Sequence, residues 1–290
     1  MSFDDYPFRV YSACKQDDDV ALVIVHGMME HGKRYFEFAK FLQDNNVSTY
    51  ILDLPGHGET GDFNKDFGHM DDEGWSHAVG CVDELVRSIS NSKKNIFIYG
   101  HSMGSFLAMK VGLTNSLIKG IVLSGMTYPP IVSLRVGRVL TDICKLVNPK
   151  LSGWVFHKLT FLLCENSFKK DTSKFAWLSS DKAKVEEYSS DKYCGKLCTV
   201  GFYNQLFKGV HSVIDFVPCR KVNTYILSSL DDPMGGYGRG PKMWAKCIAK
   251  KWGSKLNFVE YRGRHELINE IDRKNVYNDI LNWIKRSRRT

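Results

Sequence analysis

The stretch of sequence that decides the fold reads IFIYGHSMG and runs from Ile96 to Gly104. Its apolar, β-branched first half predicts a buried strand, and the residues after Gly104 are compatible with a helix. Gly100 and Gly104 flank Ser102, and glycine accepts the backbone angles and close approaches that a sharp strand-to-helix turn requires. The pattern G-x-S-x-G therefore predicts a serine nucleophile at the apex of the turn; a plain glycine-rich turn is the alternative.

The same succession of strand and helix continues on both sides of this turn. Short apolar segments at residues 21–25, 49–52, 121–123, 224–228 and 256–261 predict further strands. Apolar side chains recur at helical spacing over residues 75–89, and residues 271–286 predict a closing helix. Alternating strands and helices are typical of an α/β fold with a mostly parallel central sheet flanked by helices.

Residues 126–216 break this alternation. They contain no clear strand pattern and are enriched in Trp, Phe, Leu and Lys. Because a structureless loop of this length is rare in a compact domain, we expect an inserted helical lid over the C-terminal edge of the sheet. Residues 1–125 and 217–290 would then form the core.

A serine hydroxyl needs a base to accept its proton and a carboxylate to orient that base. His265 follows the last predicted strand and precedes the closing helix, so we expect it to be the base. Asp231 and Asp232 both follow the strand at residues 224–228, and spacing alone leaves either open. Pro233 fixes the backbone directly after Asp232, which favours Asp232.

The first predicted strand ends in HGMMEHG, residues 26–32. Gly27 allows the backbone to approach a reacting carbonyl group, so we expect the amides of Met28 and Met103 to form an oxyanion hole. A simple strand-to-loop turn is the alternative. These residues do not form H-E-x-x-H, and the glycines of residues 235–240 miss the dinucleotide-binding spacing. We therefore predict neither a metal nor a cofactor.

Five ordered motifs resemble the monoacylglycerol lipase and lysophospholipase branch of the α/β-hydrolases, also described as serine aminopeptidase-like. They are HGM-x-EH-x-x-RY from residue 26, D-x-PGHG from residue 53, GHSMG from residue 100, DPM from residue 232 and RHE-x-x-NE from residue 264. The resemblance implies the α/β-hydrolase fold, supports Asp232 over Asp231, and implies that the insertion carries an acyl-chain pocket. Ser105 and Ser229 stand where the family often has glycine.

These predictions indicate hydrolysis of a carboxylic ester through an acyl-enzyme. The resemblance implies a small-molecule lipid ester, either a monoacylglycerol or a lysophospholipid. A small-ester carboxylesterase, an amidase or aminopeptidase, a C–C bond hydrolase and a catalytically silent binding protein remain the alternatives. The apolar residues of the insertion either line an acyl pocket or only pack the lid onto the core.

The net charge and the composition limit the classes of partner that the sequence predicts. The net charge of +8 is partly concentrated in the tail at residues 285–289, which is either a solvated helix end or a contact for an anionic membrane surface. No basic stripe interleaved with aromatic residues predicts nucleic-acid binding. The apolar runs are too short to span a bilayer, and residues 1–5 show no signal-peptide pattern, so we expect a cytoplasmic protein. The 8 cysteines are expected to be reduced thiols.

Overall fold

A central β-sheet organises the chain. The computed structural model describes residues 1–15, 18–168, 170–171, 173–252 and 255–288. The strands of the described residues are β1 (Ser2–Phe3), β2 (Tyr6–Pro7), β3 (Val10–Ala13), β4 (Val20–Val25), β5 (Ser48–Leu52), β6 (Asn95–His101), β7 (Ile118–Ser124), β8 (Asn223–Ser229) and β9 (Leu256–Tyr261). Seven of them form one sheet in the order β3-β5-β4-β6-β7-β8-β9, while β1 and β2 pair separately.

The sheet is parallel from β5 to β9, and β3 pairs antiparallel with β5 at one edge. All six predicted strands are present, and β6 continues through Gly100 to His101. The sequence patterns did not predict β1, β2 or β3. These strands are short and partly exposed, so their residues lack the continuous apolar run that marked the buried β4.

Helices cover both faces of the sheet. Those of the described residues are α1 (Phe36–Asp44), α2 (Gly58–Asn64), α3 (Gly74–Ile89), α4 (Met103–Thr114), α5 (Ile131–Val147), α6 (Trp154–Ser167), α7 (Lys182–Ser190), α8 (Val200–Ile214), α9 (Arg239–Cys247) and α10 (Arg273–Ser287). Two buried apolar clusters lie on opposite sides, one containing α3 and α4 and the other α1 and α10. The predicted helices at residues 75–89 and 271–286 correspond to α3 and α10. The fold is the predicted mostly parallel α/β arrangement.

Four helices, α5 to α8, occupy the segment between β7 and β8. The β pairing found among the described residues of this segment is the isolated bridge between Ser152 and Thr199. Helix α8 contacts α5 and also α3 and α4, so it joins the rest of the segment to the sheet layer. The division into a core and a lid at residues 126 and 216 stays a prediction.

The cysteines and the longest helices bear on two expectations from the composition. No disulfide bond is present among the described residues, and the reduced state of the cysteines stays an expectation. None of the described helices combines the length and apolarity needed to cross a bilayer.

Candidate active site

Ser102 occupies a strained turn between β6 and α4. Its backbone angles are φ 50° and ψ −119°, a conformation that non-glycine residues rarely adopt and that is concentrated at functional sites. A Cβ atom at Gly100 would collide with the carbonyl oxygen of Gly104, and one at Gly104 would collide with the carbonyl oxygen of Val25. Both glycines of the motif are therefore required by the close packing of α4 against β4 and β6.

His265 and Asp232 form a buried pair beside this turn. His265 Nδ1 lies 2.9 Å from Asp232 Oδ2, and both side chains are almost fully buried. The backbone N–H of Met234 donates to Asp232 Oδ1 at 2.8 Å, which fixes the second carboxylate oxygen. An Nδ1–H donated to Asp232 leaves Nε2 of His265 as the proton acceptor. Burial disfavours the imidazolium, but Asp232 outweighs it and raises the pKa of His265.

Asp231 lies outside this arrangement. Its Oδ2 accepts the backbone N–H of Gly263 at 3.1 Å, and its Oδ1 lies 3.6 Å from the exposed Arg262 guanidinium. Of the two neighbouring aspartates, Asp232 is therefore the one in contact with His265.

Ser102 and His265 border the same cavity. Its volume is about 20 Å³, which is room for roughly one water molecule. The lining residues come from the loop after β4, from the turn, from the loop after β9 and from the insertion: Gly27, Met28, Met29, Glu30, His101, Ser102, Phe161, Trp177, Leu178, Tyr188, His265 and Glu266. The structure thus brings Ser102, His265 and Met28 together, with Asp232 directly behind His265.

The two predicted oxyanion donors belong to the loop after β4 and to the first turn of α4. Met28 lines the cavity, and Met103 is the first residue of α4, where backbone amides of a helix point outward. A Cβ atom at Gly27 would lie 3.1 Å from Ser102 Cβ and 2.9 Å from Glu30 Oε1, so this loop approaches Ser102 closely. The role of the two amides as an oxyanion hole stays a prediction.

A loop network supports the segment that carries Met28. Asp53 Oδ1 accepts the backbone N–H of Gly32 at 2.7 Å, and Asp53 Oδ2 accepts that of Glu59 at 2.8 Å. His26 Nε2 accepts the backbone N–H of Leu54 at 3.0 Å. Burial lowers the pKa of His26 to about 3, so this imidazole stays neutral and serves as a fixed hydrogen-bonding group.

Sequence reasoning missed the contact of His101 with the predicted base. Its ring lies 4.8 Å from the ring of His265, centroid to centroid, and is buried. Burial lowers the pKa of His101 well below its usual range, so the ring is neutral. His101 therefore packs against His265 without adding a charge. The signal in the sequence for this contact was the position of His101 directly before Ser102.

One group of potential metal ligands lies near the site. Within the part of the chain that the structure describes, ligand atoms of His31, Asp191 and Cys194 lie within 4.8 Å of one another. His31 Nε2 and Asp191 Oδ2 are 2.8 Å apart, which is a direct hydrogen bond. That bond accounts for the contact between these two groups without a metal ion.

Comparison with known proteins identifies the family. A family model described as "Serine aminopeptidase, S33" matches residues 16–272. The chain belongs to this family. Monoglyceride lipase from Homo sapiens is a family relative by sequence: it is 24% identical over 277 residues, which cover 91% of this chain and 82% of the human protein.

Another relative is much longer than this chain. An uncharacterized abhydrolase domain-containing protein from Dictyostelium discoideum is 23% identical over 274 residues, which are 91% of this chain but 26% of that protein. The chain therefore spans about a quarter of that relative's length.

A solved structure shares the fold. It is a soluble variant of monoglyceride lipase from Saccharomyces cerevisiae in complex with a substrate analog. Its TM-score to this chain is 0.71, with 16% sequence identity and coverage of 99% of this chain and 96% of the other. The fold predicted from the sequence, that of an α/β-hydrolase, is confirmed.

The two neighbouring aspartates give a direct test of the geometry. Asp232→Asn removes the charge that holds the pKa of His265 up, so we expect kcat/KM for an ester to fall by at least about 10²-fold and the acid limb of its pH profile to move to lower pH. Asp231→Asn is the matched control and should stay within about threefold of the parent protein. Steady-state kinetics over a pH series measure both effects. A larger loss for Asp231→Asn would reverse the assignment.

Proposed function

We propose that this protein is a serine hydrolase that cleaves carboxylic esters through an acyl-enzyme. The observation that carries the proposal is the strained Ser102 turn, which borders the same cavity as His265 of the buried His265–Asp232 pair. Membership of the serine aminopeptidase family supports hydrolysis. A catalytically silent scaffold would have no need of the strained serine conformation.

In the proposed reaction, His265 Nε2 accepts the Ser102 proton as Oγ attacks the ester carbonyl carbon. Asp232 stabilises the resulting imidazolium, and the amides of Met28 and Met103 donate to the oxyanion. The C–O bond to the alcohol then breaks, and His265 returns its proton to the leaving oxygen. Water repeats the sequence on the acyl-enzyme, which releases the acid and restores Ser102. No step requires a cofactor or a metal ion.

The nucleophile is tested by Ser102→Ala. We expect ester turnover to fall by about 10⁴-fold or more, and labelling by a fluorophosphonate probe to disappear, because the attacking oxygen is gone. Ser92→Ala, in an exposed turn after α3, is the control and should label and turn over normally. Both variants should unfold at the temperature of the parent protein. Retained turnover in folded Ser102→Ala would overturn the mechanism.

The acyl group is proposed to come from a lipid. Phe161, Trp177 and Leu178 of the insertion border the cavity next to Ser102, which supports an apolar acyl site. The human and yeast relatives named monoglyceride lipases support a monoacylglycerol over other esters. Because the cavity of about 20 Å³ is far smaller than an acyl chain, these side chains must move apart when such a substrate enters.

The acyl-chain site can be tested with soluble, monomeric esters of increasing acyl length. Each buried methylene contributes about 0.8 kcal/mol, so kcat/KM should rise by up to about fourfold per carbon and then level off. Phe161→Ala should weaken this dependence, while Leu159→Ala, exposed on the same helix, should leave it unchanged. A profile that is flat or falls beyond acetyl would favour a small-ester hydrolase instead.

The outer surface of the insertion suggests where the protein contacts a lipid substrate. One face of α5 exposes apolar side chains at helical spacing, while Leu134 and Thr141 on the opposite face are buried. The exposed set continues through the next segment and along α6: Val132, Val136, Val139, Leu140, Ile143, Leu146, Val147, Leu151, Trp154, Val155, Leu159, Leu162 and Leu163. We call these residues the outer lid face. Many exposed apolar side chains along one segment of the chain favour an interaction site.

Charge complementarity favours an anionic lipid surface as the occupant. The segment from α5 to α6 carries an excess of basic residues over acidic ones, Arg135, Arg138, Lys150 and Lys158 against Asp142 and Glu165, while Lys145 pairs with Asp72. An apolar face bordered by basic side chains is typical of helices that lie in a membrane interface. The predicted contact through the tail at residues 285–289 remains an alternative; residue 289 lies outside the described residues.

Vesicle binding tests the outer lid face. The parent protein should cosediment with vesicles of anionic phospholipid, and the combined variant Val136→Ser, Leu146→Ser, Leu163→Ser should bind at least about tenfold more weakly because apolar contact is lost. Val217→Ser, an exposed apolar residue outside the face, is the control. Turnover of a soluble ester should be unchanged in both. Equal vesicle binding by all three proteins, or dimers that dissociate in the combined variant, would overturn a lipid occupant.

A further inference from the structure

A buried guanidinium connects the two loops that border Ser102. Arg34 Nη1 donates to Glu30 Oε2 at 2.9 Å, in the loop after β4. The same guanidinium donates to both carboxylate oxygens of Glu266, at 2.5 Å from Nη1 to Oε1 and 2.7 Å from Nη2 to Oε2. All three side chains are almost fully buried. A planar, two-bond pairing of this kind fixes orientation as well as distance.

Glu30 carries this restraint to the predicted oxyanion loop. Its Oε1 accepts the backbone N–H of Gly27 at 2.6 Å and the hydroxyl of Tyr35 at 2.9 Å. Gly27 directly precedes Met28, whose amide is the proposed oxyanion donor. A shift of the Glu30 carboxylate would therefore move the backbone that presents this amide.

Glu266 carries the restraint to the proposed base. It directly follows His265, and its Oε2 also accepts the side-chain amide of Asn269 at 2.9 Å. The backbone N–H of Glu266 donates to the carbonyl oxygen of Leu178 at 2.8 Å, which joins this loop to the insertion. The position of His265 thus depends on the loop that Arg34 holds through its two hydrogen bonds to Glu266.

The insertion closes the other side of the guanidinium. The Arg34 guanidinium carbon lies 4.8 Å from the centre of the Tyr188 ring, a cation–π contact. The Tyr188 hydroxyl donates to the carbonyl oxygen of Met29 at 2.9 Å, and the backbone N–H of Gly195 donates to the same oxygen at 3.0 Å. Met29 has φ 59°, an unusual angle for a non-glycine residue. Arg34 therefore sits where the oxyanion loop, the base loop and the insertion meet.

We propose that Arg34 is a positioning residue that holds the Met28 amide and His265 at a fixed separation through its ion pairs with Glu30 and Glu266. The inference rests on the proposed function, because it assigns a role relative to the proposed oxyanion hole and base. Arg34 itself acts through these two carboxylates and has no assigned contact with substrate.

The charges also bear on His265. Asp232, Glu266 and Glu30 stabilise its imidazolium and raise its pKa, and the neutral rings of His101 and Trp177 pack against it. Burial alone would raise the pKa of Glu266, but Arg34 outweighs burial and lowers it, so Glu266 is ionised. Loss of the Glu266 charge should therefore lower the pKa of His265. Loss of the two-bond geometry, with the charge of Glu266 retained, should leave the pKa of His265 unchanged.

Two variants separate geometry from charge. Arg34→Lys keeps the positive charge but cannot form the two parallel bonds, so kcat for a soluble ester should fall by about tenfold or more with KM nearly unchanged and the acid limb of the pH profile in place. Glu266→Gln keeps the shape but removes the charge. His265 must be neutral to accept a proton. The acid limb of the pH profile of Glu266→Gln should therefore move to lower pH by about half a unit or more.

The control is Arg87→Lys, which alters the exposed ion pair with Asp83 and should change neither kinetic constant. Normal kcat in folded Arg34→Lys, or an unmoved acid limb in Glu266→Gln, would overturn the proposal. If Arg34→Lys does not fold, kcat of Glu266→Gln decides, because this variant also breaks the ion pair with Arg34 and should lower kcat in addition to moving the acid limb. Failure of the proposed function is distinguishable, since it would appear as ester turnover that persists in Ser102→Ala.

Discussion

The close approach of α4 to β4 and β6 is the constraint on which the rest of the structure depends. Gly100 and Gly104 have no space for a side chain, because carbonyl oxygens of the turn and of β4 occupy it. With both glycines in place, Ser102 is forced into its unusual backbone conformation. This conformation raises the free energy of the folded state, and favourable packing around the turn must offset that cost. The buried strands and α4 supply that packing.

The buried carboxylates around this turn are held by hydrogen-bond and ion-pair partners. Asp232 is held by His265 and by the Met234 amide, and Asp53 by the amides of Gly32 and Glu59. Buried carboxylates without such partners would be costly, and they would favour protonation. The loops that border the cavity are therefore joined by hydrogen bonds and ion pairs that leave each loop little freedom to move alone.

The insertion has two different surfaces. Toward the sheet it contributes buried aromatic side chains such as Phe161 and Trp177, which contact the cavity. On its other side, α5 and α6 expose apolar side chains. Contact of these side chains with water does not stabilise an isolated protein. For the apolar residues of the insertion, the sequence left open an acyl pocket or packing of the lid onto the core; in the structure Trp154, Leu159, Leu162 and Leu163 are exposed, while Phe161, Trp177 and Leu178 line the cavity.

The sequence by itself determined the α/β fold, the turn at Ser102 and the order of the chemical groups, because each depends on a local pattern: a buried strand, two obligatory glycines, or a polar residue directly after a strand. It could not predict β1 to β3, whose short, half-exposed residues lack such a pattern. Only the tertiary structure decided which aspartate contacts His265, that His101 packs on that ring, and that Arg34 joins Glu30 to Glu266. Contacts between residues this far apart in the chain arise from how loops of different strands meet at one edge of the sheet, and no local spacing records them.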